Sequence, residues 1–216
     1  MTDFTINPDF NVTSETALRD MFPPTHDLAK VKQLDHLDAH AMDYIRRSPF
    51  VVLGTQSADG TADVSPRGDP KGFVEILDAT TIAIPDRPGN NRLDSLVNIT
   101  TNPKVGLLFI VPGFDDTLRV NGAATLTTDP ELLATMAVNG RAPTLAIVVK
   151  IEEAFLHCAK AFRRSKLWDP SEHQNRSELP SLINLILEQV GDGPKSDEAR
   201  KANDDAIEEA YKGSMY

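Results

Sequence analysis

The sequence predicts a mainly β protein with flanking helices, an α+β chain whose strands form a small antiparallel barrel. Three observations carry that reading. Six or seven short runs rich in β-branched and aromatic residues follow one another between residues 50 and 157. Glycine, proline, asparagine and aspartate mark tight turns between them. Helical periodicity is confined to the two ends of the chain and to one or two insertions. A closed barrel also disposes of unpaired strand edges.

Taken in order, residues 1–12 read as polar and irregular. Ser14 followed by Glu15 to Met21 predicts a short helix, ended by Pro23-Pro24. Leu28, Val31, Leu34, Leu37, Met42 and Ile45 recur at three to five residues, which predicts one interrupted helix or two. Phe50 to Thr55 is a buried strand, and Ser57-Ala58-Asp59-Gly60 a hairpin turn. Thr61 to Ser65 returns as a second strand, which Pro66 to Gly72 should break. Phe73 to Leu77 and Thr80 to Ile84 are further strands. Val105 to Val111 and Leu118 to Leu126 form the next pair, with a bulge expected at Asn121-Gly122. Asp129-Pro130-Glu131 starts a short helix: a cap, then proline, then an acid. The longest strand follows Pro143 and runs toward His157. Leu182 to Leu187 are helical, and Ser196 caps a last, strongly charged helix. The domain boundaries expected are an N-terminal extension over 1–25, the barrel over 26–170 and a helical extension over 171–216.

The composition narrows the function. The chain has 216 residues, enough for one domain with a real core. A net charge of −10 repels nucleic acid and anionic lipid on average, and 6% aromatics argue against a base-stacking surface. The lone Cys158 permits neither an internal disulfide nor a cysteine-based zinc site, and a buried thiol is the expectation. No apolar run approaches the roughly 20 residues of a membrane span. The start, Met1-Thr2-Asp3-Phe4, lacks a signal peptide's basic and apolar regions. A soluble cytoplasmic protein is the expectation.

One stretch stands out, Ile84-Pro85-Asp86-Arg87-Pro88-Gly89-Asn90-Asn91-Arg92-Leu93-Asp94-Ser95-Leu96. A strand enters it, a Gly/Pro/Asn turn follows, and a helix then begins. Leu93, Leu96, Val97 and Ile99 fall near one face of that helix, which Asn90 or Asn91 could cap. Unpaired amides at the helix start, its positive dipole end and two guanidinium forks all favour a phosphate. The plainer reading is a polar connection with solvated arginines. Arg67 and Lys71 form a second basic cluster; Lys160, Arg163 and Arg164 form a third. A barrel could bring them to one rim, or they could be separate surface patches.

Other candidates are weaker. His36 and His40 are four residues apart and would share a helix face, but a solvated pair explains them, and no metal site is expected. His157 and Cys158 are strand neighbours and point to opposite faces, against a catalytic couple. Arg67-Gly68-Asp69 spells a cell-adhesion tripeptide and reads as loop chemistry. There is neither a P-loop nor a dinucleotide glycine fingerprint.

Several segments, in order, carry a resemblance. They are Ala62-Asp63-Val64-Ser65-Pro66-Arg67-Gly68-Asp69, the Ile84-to-Arg92 stretch, Asn102-Pro103 before a strand, and Leu118-Arg119-Val120-Asn121-Gly122. Over roughly residues 26–170 the chain resembles the pyridoxamine 5′-phosphate oxidase-like FMN-binding split-barrel proteins. The segment from His157 to Trp168 is similar to a subgroup of FMN-dependent enzymes. The resemblance implies a six-stranded Greek-key split barrel and a homodimer with FMN in the cleft between subunits. It implies that Ser65, Arg67, Gly68 and Asp69 meet the flavin and ribityl chain. It implies that Arg87, Asn90, Asn91 and Arg92 hold the phosphate. Thr117 and Arg119 match less well. It implies that Lys160, Arg164 and Trp168 reach the same site, from this subunit or from the other. The oxidases carry an Arg-Lys pair where this chain has Asn91-Arg92, and their C-terminal pyridoxine-phosphate motif has no clear counterpart after Trp168.

The function expected is thus that of an FMN-dependent oxidoreductase on a small molecule other than vitamin B6, with no catalytic residue assigned. The alternatives are a flavin-storing or sensing protein, the same barrel with a deazaflavin or haem, and an interaction module.

Overall fold

The computed structural model describes residues 4–215; the acidic Met1-Thr2-Asp3 start and Tyr216 lie outside the described residues. The chain divides into two compact units, Met1–Gln33 and Leu34–Tyr216. The first contains α1 (Glu15–Asp20) and α2 (Asp27–Val31). Ser14 caps α1 by accepting from the Ala17 amide, as its sequence suggests. None of the described residues of this unit is buried.

The second unit begins with α3 (Ala39–Arg47) and is built on one antiparallel sheet. Its strands are β1 (Phe50–Gln56), β2 (Ala62–Gly68), β3 (Glu75–Asp78), β4 (Thr81–Pro85), β5 (Lys104–Ile110), β6 (Thr117–Thr127) and β7 (Ala146–His157). They lie in the order β2-β1-β5-β6-β7-β4-β3, so there are seven strands where six were expected, the four-residue β3 being an edge. Helix α4 (Asp94–Thr101) packs on β1, β2 and β6; α5 (Pro130–Thr135), α6 (Lys160–Ser165), α7 (Leu182–Gln189) and α8 (Asp197–Ser214) complete the unit. One face of the sheet supplies the core, through Val51, Leu53, Ile82, Ile84, Leu107, Phe109, Leu118, Val120, Ile147 and Val149.

The sheet is rolled rather than flat. Arg67 on β2, at one end of the strand order, bonds Asp86, which directly follows β4 near the other end, at 2.6 Å. The curl that brings them together is what makes this sheet a barrel.

Several local expectations are corrected. Strand β2 runs on through Pro66 to Gly68 instead of breaking, because it is an edge strand paired only with β1 and needs no second ladder bond from Pro66. The bulge at Asn121/Gly122 is present, but the extra residue is Glu152 on β7, between Ile151, which pairs with Gly122, and Glu153, which pairs with Asn121. His36 precedes α3 and bonds Asp35 at 2.8 Å, so it shares no helix face with His40. Cys158 is exposed, since β7 ends at His157 and the chain leaves the sheet there.

Candidate functional site

Helix α4 begins without a capping side chain. Its N-cap position is Leu93, with φ +61°, and not Asn90 or Asn91. The Asn90 side chain instead accepts from the Arg92 amide at 3.1 Å, two residues on, which closes a local turn before the helix begins. Asn91 also has positive φ, at +58°. A left-handed leucine costs of order 1–3 kcal/mol and persists only where its surroundings impose it. The helix buries Ser95, Leu96, Asn98 and Ile99, while Leu93 and Val97 stay exposed, so the apolar face is rotated from the one the spacing suggested.

Polar bonds fix this helix start against β2. Ser95 donates to Asp63 at 2.6 Å, Thr55 donates to the same carboxylate oxygen at 3.2 Å, and Asn98 donates to Thr55 at 3.0 Å. The open end of α4 therefore faces a crevice of about 760 Å³ between β2 and the 85–93 loop. That volume suits a small ligand.

Ser65, Arg67 and Gly68 line the crevice from β2. Arg87, Asn90, Asn91 and Arg92 line it from the loop. Phe73, Pro85 and Leu145 supply apolar wall. The three arginines separated along the chain thus converge. Each also meets a carboxylate: Arg67 with Asp86 at 2.6 Å, Arg87 with Asp69 at 2.5 Å, Arg92 with Asp94 at 2.8 Å.

These three pairs differ. The Asp69 side chain is 1% exposed, and Arg87 also donates to the Met136 carbonyl at 2.8 Å, which ties this pair to the interior. Asp69 does not line the crevice; it stands behind Arg87. Arg92 is 72% exposed, and its bond to Asp94 raises an already high pKa. Arg67 is 18% exposed, and its buried Nε has no hydrogen-bond acceptor. That unsatisfied donor, the uncapped helix and the exposed Arg92 form a donor set suited to a phosphate monoester.

The remaining residues of the expected site lie elsewhere in this one chain. Thr117 is buried on β6. Arg119 bonds Glu153 at 3.2 Å and stacks on Phe155, with 4.5 Å from guanidinium carbon to ring centroid. Lys160 and Arg164 are exposed on α6. Trp168 packs on Phe162 and donates to the Phe114 carbonyl at 2.8 Å. None of these five lines the crevice, nor does Lys71. Sequence reasoning missed Asp63, Asp86 and Ser95 as site residues. Asp63 and Asp86 lie inside the quoted segments, but nothing in their spacing reveals a partner 32 or 19 residues away.

The pyridoxamine 5′-phosphate oxidase family model matches residues 37–158. The chain belongs to this family. The matched span of this oxidase family member runs from Leu37, just before α3, to the residue after β7, and contains the whole sheet. No protein of curated function matches the chain. Among solved structures, HupZ from Group A Streptococcus is 18% identical over 56% of this chain and 93% of its own, with a TM-score of 0.46. General Stress Protein 26 from Bacillus anthracis is 16% identical over 54% and 93%, with a TM-score of 0.41. An FMN-binding protein from Syntrophomonas wolfei is 12% identical over 54% and 81%, with a TM-score of 0.40. Among the described residues no helix is long and apolar enough to cross a membrane.

Proposed function

We propose that this oxidase family member is an FMN-dependent oxidoreductase acting on a small molecule. The observation that supports it best is the convergence of Arg67, Arg87 and Arg92 on the uncapped start of α4. In this reading Arg92, the α4 amides and Arg67 hold the phosphate, and Arg87 fixes the loop from behind. Ser65 and the β2 backbone meet the ribityl chain, while Phe73, Pro85 and Leu145 give the ring an apolar bed. When bound, the isoalloxazine supplies the hydride or electron chemistry. The protein's part is to bind, orient and exclude water. The substrate proposed is a small molecule other than a B6 vitamer, as the segment after Trp168 leads one to expect.

The functional unit is proposed to be a homodimer. Arg119, Lys160, Arg164 and Trp168 stand away from the crevice of their own chain; in the proposed dimer they belong to the cleft of the second copy.

The deciding experiment is a visible spectrum of freshly purified protein, with a titration of FMN by flavin fluorescence. A flavin spectrum and saturable one-to-one binding are expected. Colourless protein that never takes up FMN would overturn the reading. Sedimentation should give about twice 23.7 kDa; a monomer at all concentrations would remove the shared cleft.

A further inference from the structure

The charged residues lining the crevice balance: Arg67, Arg87 and Arg92 against Asp63, Asp86 and Asp94. An anion that takes up one of these guanidinium groups whole takes it from a carboxylate already there. Most of these groups are committed. Arg87 is held by Asp69 and the Met136 carbonyl. Asp63 accepts from Ser95 and Thr55. Asp94 is the neighbour of the exposed Arg92.

Arg67 and Asp86 are the exception. A guanidinium presents five donors in a planar fork and is best met by two acceptor atoms side by side. The two meet through one bond, Nη1 to Oδ1 at 2.6 Å, and the Arg67 Nε is buried without an acceptor. The pair is therefore incomplete. A monoanion or neutral group replacing Asp86 would offer Arg67 no more than it has, and would leave the aspartate unpaired. A phosphate monoester dianion offers three oxygens and twice the charge.

We propose that Asp86 sets the charge threshold of the crevice: it holds Arg67 until a dianionic phosphate monoester takes its place, so that Arg67 is given up to a dianion and withheld from monoanionic and neutral groups. The inference rests on the flavin reading above and adds a specificity residue to it. Asp86 does not hold the ligand; it competes for one of the groups that does.

The test is a fluorescence titration of full-length protein with FMN and with riboflavin, which lacks the phosphate. Four proteins are compared: the unaltered chain, Asp86→Asn, Arg67→Gln and the double variant, with Asp86→Ser as an independent check. Asp86→Asn and Asp86→Ser should each lower the Kd for FMN about tenfold and leave riboflavin binding unchanged, because only the phosphate gains Arg67. In the Arg67→Gln background the Asp86 substitution should have no effect. An unchanged or raised Kd for FMN on losing Asp86 would overturn the inference, and so would an equal gain without Arg67, which would mark a general charge effect. Those results leave the flavin reading standing. Failure of FMN to bind any of the proteins would overturn both.

Discussion

The Asp63 carboxylate on β2 accepts a hydrogen bond from the Ser95 hydroxyl, one residue into α4, at 2.6 Å. This bond joins residues 32 apart in the chain and sets where the helix start stands relative to the edge strand. Ser95 is 3% exposed, so its hydroxyl has no easy substitute in water. Asp63→Ala should cost about 1–3 kcal/mol in urea unfolding, since Ser95 and Thr55 both lose their acceptor. It should also raise the Kd for FMN. Asp63→Asn keeps an acceptor and should fall between. Unchanged flavin affinity in Asp63→Ala would mean that the helix start does not bear on the ligand.

Arg87 and Arg92 look equivalent in the sequence, and the structure separates them. Arg87→Ala takes the guanidinium from the buried carboxylate of Asp69 and should destabilise the fold by about 3–5 kcal/mol. Removing Asp69 as well should restore part of that loss. Arg92→Ala breaks only an exposed pair, so its unfolding midpoint should barely move while its FMN affinity drops. Equal unfolding midpoints for the two alanine variants would contradict the interior role given to the Arg87 pair.

The contrast shows what was legible in the sequence. The strands were, because alternation and turn residues are local signals: β1, β5, β6 and β7 stand where the β-branched runs lie. The convergence of Arg67 with Arg87 and Arg92 was open to a barrel reading, since rolling a sheet brings its end strands together. Which aspartate each arginine meets was not legible. Asp69 and Asp86 are both near arginines in sequence, yet each pairs with the arginine of the other segment, 18 and 19 residues away. The left-handed Leu93 was equally hidden, because leucine carries no turn signal and surrounding packing overrides its preference. The continuation of β2 through Pro66 depended on the strand being an edge, a property of the whole sheet.

Gly122 is the point at which the sheet tolerates least. A Cβ there would overlap the carbonyl oxygen of Lys150 on the neighbouring strand and crowd Ile151. Both are backbone contacts in the β6–β7 ladder beside the bulge, and neither can move alone. Gly122→Ala should therefore unfold at markedly lower urea, whereas Gly89→Ala, with open space around its Cβ, should not. Similar midpoints for the two variants would show that the strands separate more easily than their register suggests.

Tyr44 provides a pH-dependent test of the α3 contact with the 111–116 loop. Its hydroxyl donates to the Asp116 carbonyl at 2.6 Å, and its ring meets Phe114 edge-on, 6.0 Å between centroids. Burial, with the Asp116 charge adding to it, pushes the phenol up to about 12. The unfolded phenol ionises near 10. Between these values the folded state keeps a proton that the unfolded state has lost, so stability falls as pH rises through this window and is fully present below it. Tyr44→Phe removes the titrating group and should flatten that part of the stability profile, at the cost of one hydrogen bond at neutral pH. Tyrosinate absorbance should show a phenol in the folded chain ionising near 12, and Tyr44→Phe should remove it. If no such phenol is seen, the hydroxyl of Tyr44 is not held against the Asp116 carbonyl.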